Sequence, residues 1–364
     1  MKRVLVFGMT ENPGGIESVI MNYYRNINRN LIQFDFLCNC ETIAYEEEIR
    51  SLGGKIFSVT PRKKDPLKFR RQMNAFMKNH AKEYNAIWVN VCSLVNIDYL
   101  VFAKKYGIPR IIIHCHNSDN DGGRIKKLVH LYNKLRIEKY ATDFWSCSDT
   151  ASPWFFSREI IQSDKYKVIP NAIDVDQYKR NDEIQAEMRK KYQVEDKIVV
   201  GHVGRFHFQK NHRFLIDVFE QLAKRNEKYR LILIGQGALE NDIKQLVKQK
   251  GLEQKVIFCG VQSDTNKFYQ MMDCFVLPSL FEGLGIVALE AQACSLPCVL
   301  SDQVPRVVKI NDNVRFLSLK ADLSEWADAI EDYAEHSNFL CENRMNESIF
   351  SIKRQIDCFE RLLS

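Results

Sequence analysis

The sequence has no apolar run approaching the roughly 18 residues needed to cross a bilayer. Its opening stretch, Met1 to Phe7, is soon cut by Gly8 and polar residues, so it reads as a first strand and not as a signal peptide. Among eleven cysteines there is no C-x-x-C pair; the closest spacings are Cys38 with Cys40 and Cys294 with Cys298. That argues against a zinc site and against a disulfide framework. Cys92, Cys115, Cys147, Cys259 and Cys274 sit in strand-like apolar runs and are expected as reduced core residues in a cytosol. The long dinucleotide fingerprint is missing too, because Glu240 occupies the third glycine position of Gly235-Gln236-Gly237-Ala238-Leu239-Glu240, which argues against a nicotinamide enzyme. Aromatic-interleaved basic stretches are absent, so nucleic acid is not an expected partner.

What is there suits a globular protein of two domains: 364 residues, 45% hydrophobic and 27% charged. Strand-like and helical segments alternate throughout, the pattern of parallel sheets covered by helices, with ligands at the carboxyl ends of the strands. Charge is uneven. Residues 1–170 carry 26 Lys+Arg against 17 Asp+Glu, and residues 171–364 carry 26 against 29. A basic first half points to an anionic partner there.

The most informative stretch is Pro278-Ser279-Leu280-Phe281-Glu282-Gly283-Leu284-Gly285-Ile286-Val287-Ala288-Leu289-Glu290-Ala291. The strand-like Cys274 to Leu277 precedes it, and from Ile286 good helix formers continue without a breaker until Pro297. Strand, loop and helix in that order leave free N–H groups around Leu284, Gly285 and Ile286, a place for an anion, while Glu282 and Glu290 can accept from hydroxyls. Phosphate and sugar hydroxyls together suggest a nucleotide sugar. In the form Phe-Glu-Gly-x-Gly-Ile-x-x-x-Glu-Ala, the stretch resembles the signature of the retaining glycosyltransferases of family 4, which have the GT-B fold: two Rossmann-like parallel α/β domains facing a cleft.

The resemblance extends over nearly the whole chain. Asn12-Pro13-Gly14-Gly15 follows the first strand and is similar to the family's first-lobe glycine loop, which reaches toward the donor diphosphate and the acceptor. His114 and His116 share one face of the fifth strand; the resemblance places His116 beside the transferred sugar and leaves His114 structural. Gly204-Arg205-Phe206-His207-Phe208-Gln209-Lys210-Asn211 matches the family's Gly-Arg…Lys-Asn segment, so Arg205 and Lys210 are expected to clamp the diphosphate. Gly235 would border the nucleotide and Val261 the base. Glu290 would hold the ribose hydroxyls, and Glu282 with Gly283 would meet the sugar.

These assignments imply a metal-independent, retaining transferase moving a sugar, UDP-linked in the first instance, to a glycan acceptor on a polyprenyl-diphosphate lipid during surface polysaccharide (exopolysaccharide or capsule) synthesis. No cofactor is expected. The two Asp-x-Asp runs, Asp119-Asn120-Asp121 and Asp174-Val175-Asp176, lack a third ligand nearby and read as loop and capping residues. The run from Arg62 to Arg71 reads equally as a solvated face or as attraction for a membrane surface, and Lys126 and Lys127 could join it in one patch; a cytoplasmic protein at the inner face of the plasma membrane would suit either. Expected domains are 1–169 for the acceptor and 170–346 for the nucleotide sugar, with a last helix in 347–364 returning to the first. Alternatives are a nucleotide-sugar epimerase or phosphorylase of the same fold, or a non-catalytic bilobed partner subunit.

Overall fold

The computed structural model describes residues 1–116, 123–149, 151–336 and 342–363. The chain forms two units, Met1–Ala172 with Ile352–Ser364, and Ile173–Ser351. Each is built on one all-parallel sheet. In the first unit the strands are β1 (Lys2–Phe7), β2 (Ile32–Cys38), β3 (Ile56–Ser58), β4 (Ala86–Val91), β5 (Arg110–Cys115), β6 (Asp143–Ser146) and β7 (Tyr166–Val168), ordered 3-2-1-4-5-6-7. In the second they are β8 (Ile198–Val203), β9 (Tyr229–Ile234), β10 (Val256–Phe258), β11 (Cys274–Leu277), β12 (Cys298–Ser301) and β13 (Val314–Leu317), ordered 10-9-8-11-12-13.

Strands with helices on both faces must be apolar on both faces, and these are. Every residue of β2, β11 and β12 is buried. In the second unit Val199, Phe275, Leu277 and Leu300 enter one core, while Val200, Val276 and Val299 point to the other. The one carboxylate inside β2, Asp35, is fully satisfied: Tyr84 Oη donates to it at 3.1 Å, the Lys55 N–H at 2.9 Å, and Arg3 pairs with it. A buried charge is tolerated only with such partners.

In both sheets the order of strands reverses once, between β1 and β4 and between β8 and β11. Loops leaving the two strands at such a point diverge and open a crevice at the carboxyl edge. The glycine loop and the Arg205–Lys210 segment follow β1 and β8, and the Glu282 loop follows β11.

The last helix, Ile352–Leu363, packs into the first unit through Phe359, which stacks on Tyr23 at 4.1 Å and meets Trp88 edge-on at 5.1 Å. Chain therefore passes twice between the units. At these passages the Ile173 N–H donates to Phe350 O at 2.8 Å, and Ile173 forms a bridge with Ser351.

The cysteine expectation needs a correction. All ten described cysteines are free thiols, and Cys115, Cys147 and Cys274 are buried, but Cys92 is exposed and Cys259 only half-buried. Both fall just past the ends of β4 and β10, where the chain has left the sheet. Asp119-Asn120-Asp121 lies outside the described residues. Asp174 caps the short turn Val175–Tyr178, accepting from Asp176 N at 3.2 Å and Gln177 Nε2 at 3.0 Å.

Candidate active site

At the reversal point of the second sheet, Pro278 stops β11 and Gly204 leaves β8. The two loops are stitched together: Leu280 N donates to Gln209 O at 2.8 Å, and Gln209 Nε2 to Phe281 O at 3.0 Å. Through this seam Lys210 Nζ meets Glu282 Oε1 at 2.6 Å, and Ser279 Oγ donates to the same oxygen at 2.6 Å. The lysine side chain is 15% exposed and the glutamate 7%, so the pair is shielded from water yet open at one edge.

Gly285 then starts helix Ile286–Ala293 with φ +84°, in the left-handed region where a glycine has no steric cost. The N–H groups of Gly283, Leu284, Gly285, Ile286 and Val287 donate to no acceptor among the described residues, and the first turn holds no acidic side chain. Five donors without an acceptor among the described residues, at the positive end of a helix dipole, are an arrangement that suits an anion. One turn inside, Glu290 accepts from Tyr269 Oη at 2.9 Å. Burial pushes its pKa up to about 7, against the opposing effects of Tyr269, Tyr178 and the Lys210 charge.

The turns after β9 and β10 close against the same loop. Gly235 has φ +133°, and a Cβ there would lie 2.2 Å from Gly204 O; one on Gly237 would lie 2.4 Å from Phe206 O. Phe206 N donates to Gln236 O at 3.1 Å and Gly235 N to Gly260 O at 2.8 Å, which brings half-buried Val261 next to this turn in the chain. Behind the loop, His212 stacks on Phe206 at 4.2 Å and packs on His202 at 4.7 Å. Burial lowers the two imidazoles to about 2 and about 4, so both are neutral. Arg205 is exposed and makes no side-chain hydrogen bond or ion pair among the described residues.

The second unit thus brings together Arg205, Lys210, Gly235, Val261, Glu282, the helix start from Gly283 to Ile286, and Glu290. A cavity of about 340 Å³ beside β13, lined by Arg306, Lys309, Arg315 and Tyr333 among others, includes none of them. No group of three or more His, Cys, Asp or Glu side chains among the described residues is arranged to hold a metal ion.

The remaining assigned residues belong to the first unit. Gly14 caps helix Gly15–Asn26, but Glu17 folds back over it: its carboxylate accepts from Thr10 N at 3.1 Å and Thr10 Oγ1 at 2.5 Å. A protein carboxylate thus already occupies this helix start, unlike the one at Gly285. Glu17 was not singled out in the sequence, although its place three residues after the cap is a known helix-start signal. His116 is 8% exposed. Its Nε2 lies 2.8 Å from Asn90 Oδ1 and its Nδ1 3.0 Å from Asn171 Oδ1. Burial lowers its pKa to about 4 and keeps the ring neutral, so one nitrogen donates and the other accepts. Asn90 Nδ2 is directed at Phe7 O at 3.2 Å, which leaves Asn90 Oδ1 to accept from Nε2–H. Both ring nitrogens of His116 thus face a side-chain amide. His114 behind it is fully buried and accepts from Trp88 Nε1 at 3.3 Å.

Two parallel α/β units with functional loops at their reversal points define a protein of the GT-B class. Residues 184–348 match the family model "Glycosyl transferases group 1". The chain is 32% identical over 338 residues to "Putative glycosyltransferase EpsF" of Bacillus subtilis, covering 90% of this chain and 87% of that protein. It belongs to the group 1 glycosyltransferases. It is also 24% identical over 275 residues to the Escherichia coli UDP-Gal:alpha-D-GlcNAc-diphosphoundecaprenol alpha-1,3-galactosyltransferase, covering 71% of this chain and 69% of that one. Its fold matches that of Anabaena Alr3699/HepE, solved in complex with UDP and glucose, with a TM-score of 0.81 at 18% identity over 100% of this chain and 99% of that one.

Proposed function

We propose that this glycosyltransferase moves a sugar from a UDP-sugar to a glycan acceptor on a polyprenyl-diphosphate lipid, with retention at the anomeric carbon, during surface polysaccharide synthesis at the cytoplasmic face of the membrane. The observation that carries the donor side is the unfilled anion site at Gly283–Val287 beside Lys210 and the unpaired Arg205. Three sources of positive charge neutralise the leaving diphosphate, so the reaction needs no divalent metal. The lipid acceptor and the UDP donor are the chemistry named for the Escherichia coli relative, and UDP is the nucleotide bound by the Anabaena fold neighbour.

In this reading an arriving β-phosphate draws Lys210 from Glu282, and Ser279 holds the freed carboxylate where it accepts from sugar hydroxyls. Glu290, held by Tyr269 and Tyr178, turns its remaining lone pairs to ribose hydroxyls. The acceptor hydroxyl oxygen then bonds to the anomeric carbon on the face the phosphate leaves. The carbon–oxygen bond to phosphate breaks with its electron pair going to the phosphate, and the hydroxyl proton passes to a phosphate oxygen. Same-face departure and attack give retention. His116, neutral and fully bonded, shapes the sugar's surroundings and does not move a proton. The Gly14-Gly15 loop, carrying the Glu17 carboxylate, suits a hydroxyl-bearing acceptor better than a second anion.

Thermal unfolding with a panel of nucleotides and nucleotide sugars tests this, with and without EDTA, since a ligand of the folded state raises the midpoint. UDP and a UDP-sugar are expected to raise it equally with and without EDTA, and Arg205→Ala to abolish the shift without changing the unliganded midpoint. No shift with any nucleotide on a folded sample, or a shift lost in EDTA, would overturn the reading.

A further inference from the structure

The cavity beside β13 is lined by three cations, Arg306, Lys309 and Arg315, and by one carboxylate, Asp312. Asp312 is already paired with Arg344, and Arg315 with Asp332 at 3.2 Å. Arg306 and Lys309 form no ion pair among the described residues. β13 is the outermost strand of its sheet, so no neighbouring strand covers this wall.

Scattered surface cations are ordinary, but two of these are held in place. The Arg306 guanidinium lies 4.1 Å from the centre of the Phe316 ring, and that of Arg315 lies 5.0 Å from the centre of the Tyr333 ring. Both rings are half-buried and line the same cavity. A guanidinium resting over an aromatic ring is attracted by its π face and keeps its N–H donors available to an oxyanion.

The backbone that carries Arg306 and Lys309 is fixed as well. Arg306 opens the short turn Arg306–Val308, and Lys309 follows it. Gln292, fully buried on helix Ile286–Ala293, donates to Val308 O at 2.7 Å and accepts from the N–H groups of Ile310 and Asn311, each at 3.0 Å. Asn311 Nδ2 donates in return to Gln292 O at 3.0 Å. Binding through long cationic side chains costs conformational entropy, and an anchored backbone with a stacked guanidinium has less of it to lose.

We propose that this cavity is a binding site for a small phosphate monoester of the sugar phosphate class. Arg306 and Lys309 take the phosphate oxygens, and Arg315, shared with Asp332, closes the third side. Three cations against one neutralised carboxylate favour a dianion over a single carboxylate, and a phosphate monoester brings about two charges and three acceptor oxygens. A volume of about 340 Å³ is at the small end for ligand cavities and leaves room for one sugar ring beside the phosphate. None of the residues assigned to the nucleotide sugar lines it, so this is a second site, and the inference does not depend on the reaction proposed above.

Calorimetric titration of the full chain with glucose 1-phosphate at constant ionic strength tests it, the parent being compared with Arg306→Gln/Lys309→Gln and with Arg205→Ala. Parent and Arg205→Ala are expected to bind alike, and Arg306→Gln/Lys309→Gln to bind about tenfold more weakly or worse, having lost two charge-assisted contacts. Inorganic phosphate should compete for the same site, and glucose should not. Arg306 and Lys309 are exposed, so the double variant should keep the parent's thermal midpoint and its shift with UDP. A parent that does not bind glucose 1-phosphate, or a double variant that binds it like the parent, would overturn the proposal. So would binding lost in Arg205→Ala and kept in the double variant, because the phosphate would then be entering the donor site.

Discussion

Replacing Lys210 with methionine removes the cation from a pair whose members are 15% and 7% exposed, while keeping the aliphatic stem. Glu282 then keeps the Ser279 hydroxyl at 2.6 Å and the Gln209 amide at 3.5 Å but loses the Lys210 charge. Breaking a buried pair by removing one partner costs about 3–5 kcal/mol, because the other charge is left uncompensated. The retained hydroxyl and the open edge argue for the lower end, about 3 kcal/mol. For a unit the size of Ile173–Ser351 each kcal/mol is worth roughly 2–4 °C, so its transition should fall by about 6–12 °C. Lys210→Met/Glu282→Gln removes both charges and should recover much of the loss, giving a coupling energy of about 2 kcal/mol between the two sites. Calorimetry of parent, both single variants and the double variant measures this directly. A Lys210→Met midpoint within about 1 °C of the parent, or a double variant whose loss is the plain sum of the singles, would refute the claim that the pair is buried and coupled in the free protein.

Two further outcomes follow from geometry already described. Gly235→Ala must place a Cβ against Gly204 O at 2.2 Å with φ +133°, and should cost about 2 kcal/mol or more; Gly251→Ala, with φ +67° and open space around it, should cost about 1 kcal/mol, and equal midpoints for the two variants would discount the clash. Glu290 keeps its proton in the folded state up to about 7 against 4.5 for the free group. Between those values the folded form binds more protons than the unfolded one, so stability falls as pH rises through that window, by about 3 kcal/mol in all. Glu290→Gln should lack this slope and gain on the parent above pH 7; superimposable stability–pH curves would show that the carboxyl is not desolvated.

Much of the fold was legible because parallel α/β proteins write their strands as short apolar runs bounded by turns. The first strand and the strand Cys274–Leu277 fall where the sequence suggests them, and the break at Pro278 and the helix start at Ile286 come from local chemistry that needs no tertiary knowledge. Contacts between distant segments were not legible. Nothing local announces that Lys210 and Glu282, on loops after β8 and β11, will meet beside Ser279, or that Asn90 and Asn171 will flank the two sides of His116. The helix at Arg124–Lys134 shows the limit most clearly. Apolar periodicity identifies one stripe of a helix, but which stripe faces inward was decided by His130 and Asn133 binding the backbone of Leu94. The exposed Cys92 is a smaller case of the same kind: an apolar neighbourhood in sequence says nothing of where a strand ends.

The position of Phe359 has a consequence for how the chain comes into being. Its ring completes the cluster of Tyr23 and Trp88, yet it lies on the helix Ile352–Leu363, after the entire second unit. Synthesis proceeds from the N-terminus, so the first seven strands emerge while that cluster still lacks one of its walls. During that interval Tyr23 and Trp88 lack the ring that Phe359 later supplies. The second unit, one continuous stretch from Ile173 to Ser351, contains every strand of its own sheet and can assemble first. The second unit can therefore be complete before the first has its last helix.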